Sequence, residues 1–123
     1  MTTMKERLGE VGVLTRRLQK EFPRETAGFL NFLKEAESGT ALPKKDKELI
    51  NVALSVACQC EWCISFHVKN ALRAGATASE VTEAGFQAVI MHGGPAFMWM
   101  TPLLQAVDDF AGGQQPKEGS QPV

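Results

Sequence analysis

This sequence predicts an all-α fold, a bundle of about six helices, on three observations. Apolar residues recur at spacings of three and four, helix-start and helix-stop residues divide the chain at intervals, and there is neither convincing period-two alternation nor an Asn-Gly or Asp-Gly hairpin turn. At 123 residues the chain has room for one domain, and it is near the length at which a partner subunit helps to complete a core.

The elements follow in order. Residues 4–21 carry Leu8, Val11, Leu14 and Leu18 with charges between them, the pattern of an amphipathic helix, and Pro23 breaks it. A second helix has Phe29, Leu30, Phe32 and Leu33 as its apolar face and ends at Gly39. Thr40–Leu42 connects, and Pro43 suits the first position of a third helix running through Leu49, Ile50, Val52, Ala53 and Val56. The segment from Phe66 continues helical and stops at Gly75. Thr77 with Glu80 forms a capping box opening a helix to about Met91. His92–Pro95 is a break, with His92 read as a helix C-terminal residue favoured by the dipole. Pro95 starts a last helix, which Pro102 should kink. The reading is a single domain over 1–111, its core motif over 43–111, followed by a polar Gly/Pro-rich tail over 112–123 expected to be disordered.

A net charge of -1 lacks the basic surplus of a nucleic-acid or membrane-surface protein. No apolar run approaches the roughly 20 residues of a membrane span, and the N-terminus has no signal-peptide pattern, so the expected location is cytoplasmic.

All three cysteines and one of the two histidines fall in CQCEWCISFH, residues 58–67. In a reducing compartment such clustering points to catalysis or metal binding rather than to a disulfide framework. On a helix, Cys60, Cys63 and His67 share one face, while Cys58 points elsewhere and is taken as packing. A Cys-x-x-Cys pair at a helix start can close into a disulfide, and the N-terminal dipole favours a thiolate there. His67, one turn beyond Cys63, can exchange a proton with it. Glu48 would complete such a site. In one continuous helix it would lie about 18 Å from Cys60, so the chain must fold back. A turn near residues 57–58 would set Glu48 level with His67.

KELINVALSVACQCEWCISFHVKNALRAGATASEVTEAGFQAVIMHGGPA, residues 47–96, resembles the alkylhydroperoxidase D-like branch of the carboxymuconolactone decarboxylase family. The shared features are the glutamate, the gap of twelve to the first cysteine, C-x-x-C-x-x-x-H, the ALRAGAT turn and the capped helix after it. The resemblance implies a helical protein that assembles as a homotrimer or homohexamer. It implies a peroxidatic Cys63, a resolving Cys60, and a proton relay of Glu48 and His67. The substrate would be a small-molecule peroxide and the reductant a thiol or dithiol protein, with no cofactor, metal, nucleic acid or membrane partner. The best-studied relay has a second histidine between the cysteines, where this chain has Trp62. The decarboxylase members lack the cysteine pair, so decarboxylation is not predicted.

Three other readings stand beside this one. The cysteines could be core packing residues. Cys58, Cys60, Cys63 and His67 could be a zinc ligand set in a non-enzymatic domain. The pair could also belong to a redox sensor or an assembly subunit and oxidise without turnover. Phe97–Met100 reads as core or subunit interface, or as an apolar wall for an organic hydroperoxide.

Overall fold

The computed structural model describes residues 2–112. Among these residues there are seven helices and no strand: α1 (Met4–Glu21), α2 (Pro23–Ser38), α3 (Lys44–Ala57), α4 (Glu61–Arg73), α5 (Ala78–His92), α6 (Gly94–Met98) and α7 (Met100–Ala111). The tail expected over 112–123 lies outside the described residues apart from Gly112.

Local chemistry sets most of the boundaries. Thr3 and Glu6 form a capping box at α1, and Thr77 and Glu80 form the expected one at α5. Pro23 occupies the first turn of α2, where a missing N–H leaves nothing unpaired. Pro43 is the N-cap of α3 rather than its first residue; its extended backbone places it one position before the helix. The last expected helix is divided rather than kinked. It breaks at Trp99, so Pro102 falls in the first turn of α7, where its lack of an N–H costs no helical hydrogen bond.

α4 is the central helix. It packs against α3, α7 and α1, and its Ile64, Val68 and Ala71 are fully buried. Val52 and Val56 of α3, Val81 of α5, and Leu103 and Val107 of α7 complete the core. Burying side chains of this kind contributes about 1.5–3 kcal/mol each. α1 is tied on through polar contacts at its start: Ser65 Oγ donates to the Met4 carbonyl at 2.5 Å, and the Met4 N–H donates to Asp109 Oδ2 at 3.0 Å.

The apolar faces expected for the first two helices are only partly covered. Only Met4 of α1 is buried and no residue of α2 is; Leu14 is exposed, as are Phe29 (62 %) and Phe32 (67 %). The periodicity is helical, and α1 does pack on α4, α7 and α2, which half-buries Leu8, Val11 and Leu18, whereas the phenylalanines of α2 have no cover within one chain.

Close packing of α5 on α7 is possible because position 85 has no side chain. A Cβ there would run into the buried Leu103 side chain and lie 2.8 Å from Met100 Sδ. Gly85→Val combines overpacking of about 1–3 kcal/mol with less of the helix-propensity gain than alanine would bring. It should lower unfolding stability by about 2 kcal/mol, measured by urea denaturation. An unchanged midpoint would show that α5 and α7 separate freely.

Candidate active site at the start of α4

The chain reverses between α3 and α4 over three residues. The Cys60 N–H reaches back to the Ser55 carbonyl (3.3 Å) and the Gln59 N–H to the Val56 carbonyl (3.1 Å), a Schellman closure with Gln59 in the left-handed region at φ 56°. The same closure recurs after α4, where Gly75 (φ 102°) holds the left-handed position, the Ala76 N–H reaches Ala71 and the Gly75 N–H reaches Leu72. At the first turn a glutamine does what glycine does at the second.

Cys60 has two structural roles. It closes α3 and is the N-cap of α4, its sulfur accepting the Cys63 N–H at 3.1 Å. Cys60 and Cys63 are joined as a disulfide, with their Cα atoms 5.2 Å apart. When the pair is reduced, the Cys63 N–H and the positive end of α4 favour a thiolate at Cys60. Cys58 is not a packing residue; it caps α3 and is an exposed free thiol. Cys58 therefore stands outside both the core and the pair.

Folding back at residues 58–60 brings α3 antiparallel to α4 and sets Glu48 beside His67. His67 Nδ1 and Glu48 Oε1 are 2.9 Å apart, although 19 positions separate them in sequence. Glu48 is 2 % exposed and His67 partly buried, so the pair is shielded from water. An ionised carboxylate only accepts, so against it a neutral His67 ring carries its proton on Nδ1, with the lone pair on Nε2. His67 stands one helical turn after Cys63 on the same face of α4. The edge of Phe66 meets the His67 ring at a centroid distance of 5.1 Å.

α1 covers the start of α4. Trp62 Nε1 donates to Glu10 Oε1 at 2.8 Å, Arg7 pairs with Glu10 at 2.9 Å and with Glu61 at 3.4 Å, and the Arg7 guanidinium lies 4.9 Å from the Trp62 ring centroid. The hydrogen bond from Trp62, then that from Arg7, hold the Glu10 carboxyl below the ordinary glutamate range. Trp62 thus braces the first helix at the position where a relay histidine would stand.

Two further residues join the site that sequence spacing did not single out. Asn51, one turn after Glu48 on α3, donates from Nδ2 to Glu37 Oε1 (3.0 Å) and, at a longer 3.4 Å, to Glu48 Oε1. The spacing of three between Glu48 and Asn51 could have suggested that contact; nothing in the sequence ties Glu37 to them. His92 is exposed in the last turn of α5 and has no place in this constellation. Among the described residues no group of three or more His, Cys, Asp or Glu is placed to hold a metal ion. No helix of the described residues is long and apolar enough to cross a membrane.

The sequence profile of the carboxymuconolactone decarboxylase family matches residues 23–106. The chain is 39% identical over 84 residues to uncharacterized protein 4 in the cox locus of Paracoccus denitrificans, covering 68% of this chain and 76% of that protein. It is 35% identical over 107 residues to an uncharacterized protein, H16_B0147, of Cupriavidus necator, covering 87% of this chain and 95% of the relative. The crystal structure of apo-lpg0406, a carboxymuconolactone decarboxylase family protein from Legionella pneumophila, superposes with a TM-score of 0.83 at 35% identity, over 88% of this chain and 96% of that one. The chain belongs to the carboxymuconolactone decarboxylase family.

The brace of α1 on α4 has a testable pH dependence. Glu10 is held below its ordinary value of 4.5, so its contribution is fully present above that value and is lost only as pH falls through the lowered one. In a Trp99→Phe background, Trp62 emission should follow a transition centred below pH 4.5. A transition centred at or above 4.5 would show that the Glu10 contacts do not form.

Proposed function

We propose that this carboxymuconolactone decarboxylase family protein is a thiol-dependent peroxidase or disulfide oxidoreductase that reduces alkyl hydroperoxides through Cys60 and Cys63. The observation that carries this reading is the shielded Glu48–His67 pair, 2.9 Å apart, one helical turn from a disulfide-forming dithiol.

In the proposed cycle, His67 Nε2 takes the thiol proton of Cys63, and Glu48 supports the charge that forms on the ring. The Cys63 thiolate attacks the distal oxygen of ROOH and the O–O bond breaks. The alkoxide leaves as ROH with the proton from His67, and Cys63 becomes a sulfenic acid. Cys60, held as a thiolate by the start of α4, attacks the Cys63 sulfur and expels hydroxide. With the proton released when Cys60 ionised, that hydroxide is water. The balance is ROOH plus two thiols giving ROH, water and one disulfide. A thiol or dithiol protein then returns the pair to its reduced form by exchange. Trp62 contributes no proton to this scheme, so Glu48 and His67 carry the transfer.

We also propose that the chain works as a homotrimer or homohexamer. The uncovered apolar residues support this reading: Phe29 and Phe32 on α2, and a shallow apolar groove of about 270 Å³ between α3 and α5 lined by Leu49, Ile50, Ala53, Leu54, Ala84 and Gln87. An apolar surface of this extent is unusual on a chain that stays single.

The first test is the peptide-mapped mass of the reduced protein before and after one equivalent of an organic hydroperoxide. Two hydrogens should be lost, localised to Cys60 and Cys63, with one equivalent of alcohol formed. Cys63→Ser should abolish the reaction, Cys60→Ser should leave a trappable sulfenic acid, and Glu48→Gln should slow disulfide formation by about 10²-fold. A dithiol pool left intact by peroxide would overturn the peroxidase. Oxidation that a dithiol reductant cannot turn into a cycle would leave a sensor instead.

Sedimentation should give a mass of three or six chains for the wild type and a lower mass for Phe29→Asp/Phe32→Asp. A monomeric wild type at micromolar concentration would end the assembly proposal.

A further inference from the structure

We infer that Asn51 and Glu37 are positioning residues for the Glu48–His67 pair, resting on the proton-transfer role proposed for that pair. Together they select which nitrogen of His67 carries the proton.

Asn51 has one amide nitrogen facing two carboxylates, Glu37 at 3.0 Å and Glu48 at 3.4 Å. Both partners, when ionised, offer only acceptor oxygens. The amide must therefore present its nitrogen; turning it over would aim Oδ1 at two negative groups. The shorter bond is to Glu37, so Glu37 fixes the face that Asn51 turns to Glu48. Glu48 Oε1 then lies between two donors, Asn51 Nδ2 and His67 Nδ1, which define its direction from two sides. With the carboxylate so aimed, the proton of His67 sits on Nδ1 and the lone pair on Nε2. Rotating Glu48 away would release the ring to the other tautomer, in which Nε2 cannot accept a proton from a thiol.

The placement of Glu37 is specified as closely. It lies in the last turn of α2, where helix carbonyls lack internal partners. Lys47 of α3 donates to the carbonyls of Glu37 and Gly39, pinning this end of α2 beside the first turns of α3. Glu37 Oε2 is buried with no hydrogen-bond partner, so the carboxylate is satisfied through Oε1 alone. A buried unpaired oxygen is a cost in stability. Its presence here fits a residue placed for its contact with Asn51 rather than for packing.

The test reads the imidazole directly. Protein labelled with ¹⁵N-histidine contains two rings, and His92→Gln assigns the other. Long-range ¹H–¹⁵N spectra at a pH where the rings are neutral should show His67 of the reduced wild type in the Nδ1–H form. Asn51→Ala and Glu37→Ala should move it to a mixture containing the Nε2–H form. Glu37→Gln, whose amide oxygen still accepts from Asn51, should restore the wild-type pattern. Hydroperoxide-driven closure of the Cys60–Cys63 pair should slow by about tenfold in the two alanine variants and recover in Glu37→Gln. If Asn51→Ala does not fold, the Glu37 pair, altered at a partly exposed position, decides the matter.

Unchanged tautomers in Glu37→Ala, or an Nε2–H ring in the wild type, would overturn the positioning roles. The spectrum uses no peroxide. A wild type inert toward hydroperoxides would therefore overturn the peroxidase without touching this inference, which stands or falls on the ring.

Discussion

Nineteen positions separate Glu48 from His67, and along an unbroken helix that is about 28 Å. The left-handed turn at Gln59 removes that distance. It lets α3 terminate with its final carbonyls satisfied, reverses the chain within three residues, and hands the next helix its N-cap. Antiparallel pairing of α3 with α4 then buries Val52 and Val56 against Ile64 and Val68, so the core and the acid pair follow from one backbone event. A non-glycine residue in this region carries a backbone cost of about 1–2 kcal/mol. Packing of two helices on either side can offset it.

Much of this was readable from residue order. The capping box of Thr77 and Glu80, the glycine stop at Gly75 and the span of the first helix each rest on local chemistry, and local chemistry is what a sequence displays. Counting outward from a turn near residues 57–58 placed Glu48 beside His67 because helices are regular once their ends are known. The exact turn was obscured because glutamine, not glycine or asparagine, holds the left-handed position. The break at Trp99 is hard to place from sequence because Pro102 acts upstream of itself: it has no N–H for the Met98 carbonyl four residues back, and its ring crowds that group. Glu37 was out of reach for a different reason: its link to Glu48 runs through a third residue on another helix, and pair spacing encodes no such link.

α2 joins two features that would otherwise seem unrelated. None of its residues is buried in the single chain, and its phenylalanines face outward. Its last turn nevertheless supplies the carboxylate that orients Asn51. The helix least held by its own chain thus stands next to the most shielded acid in it. Whatever seats α2 in the proposed assembly also sets the surroundings of Glu48.

The placement of Cys58 has a practical consequence. With Cys60 and Cys63 joined, it is the one free cysteine, and it is exposed. Because the chain has 3 cysteines, a colorimetric thiol titration under native conditions has a built-in reference. Cys58 reports in either redox state, and only the excess over one equivalent per chain belongs to the pair. A single preparation can therefore be scored for its oxidised fraction without a substrate, a reductant or a second protein.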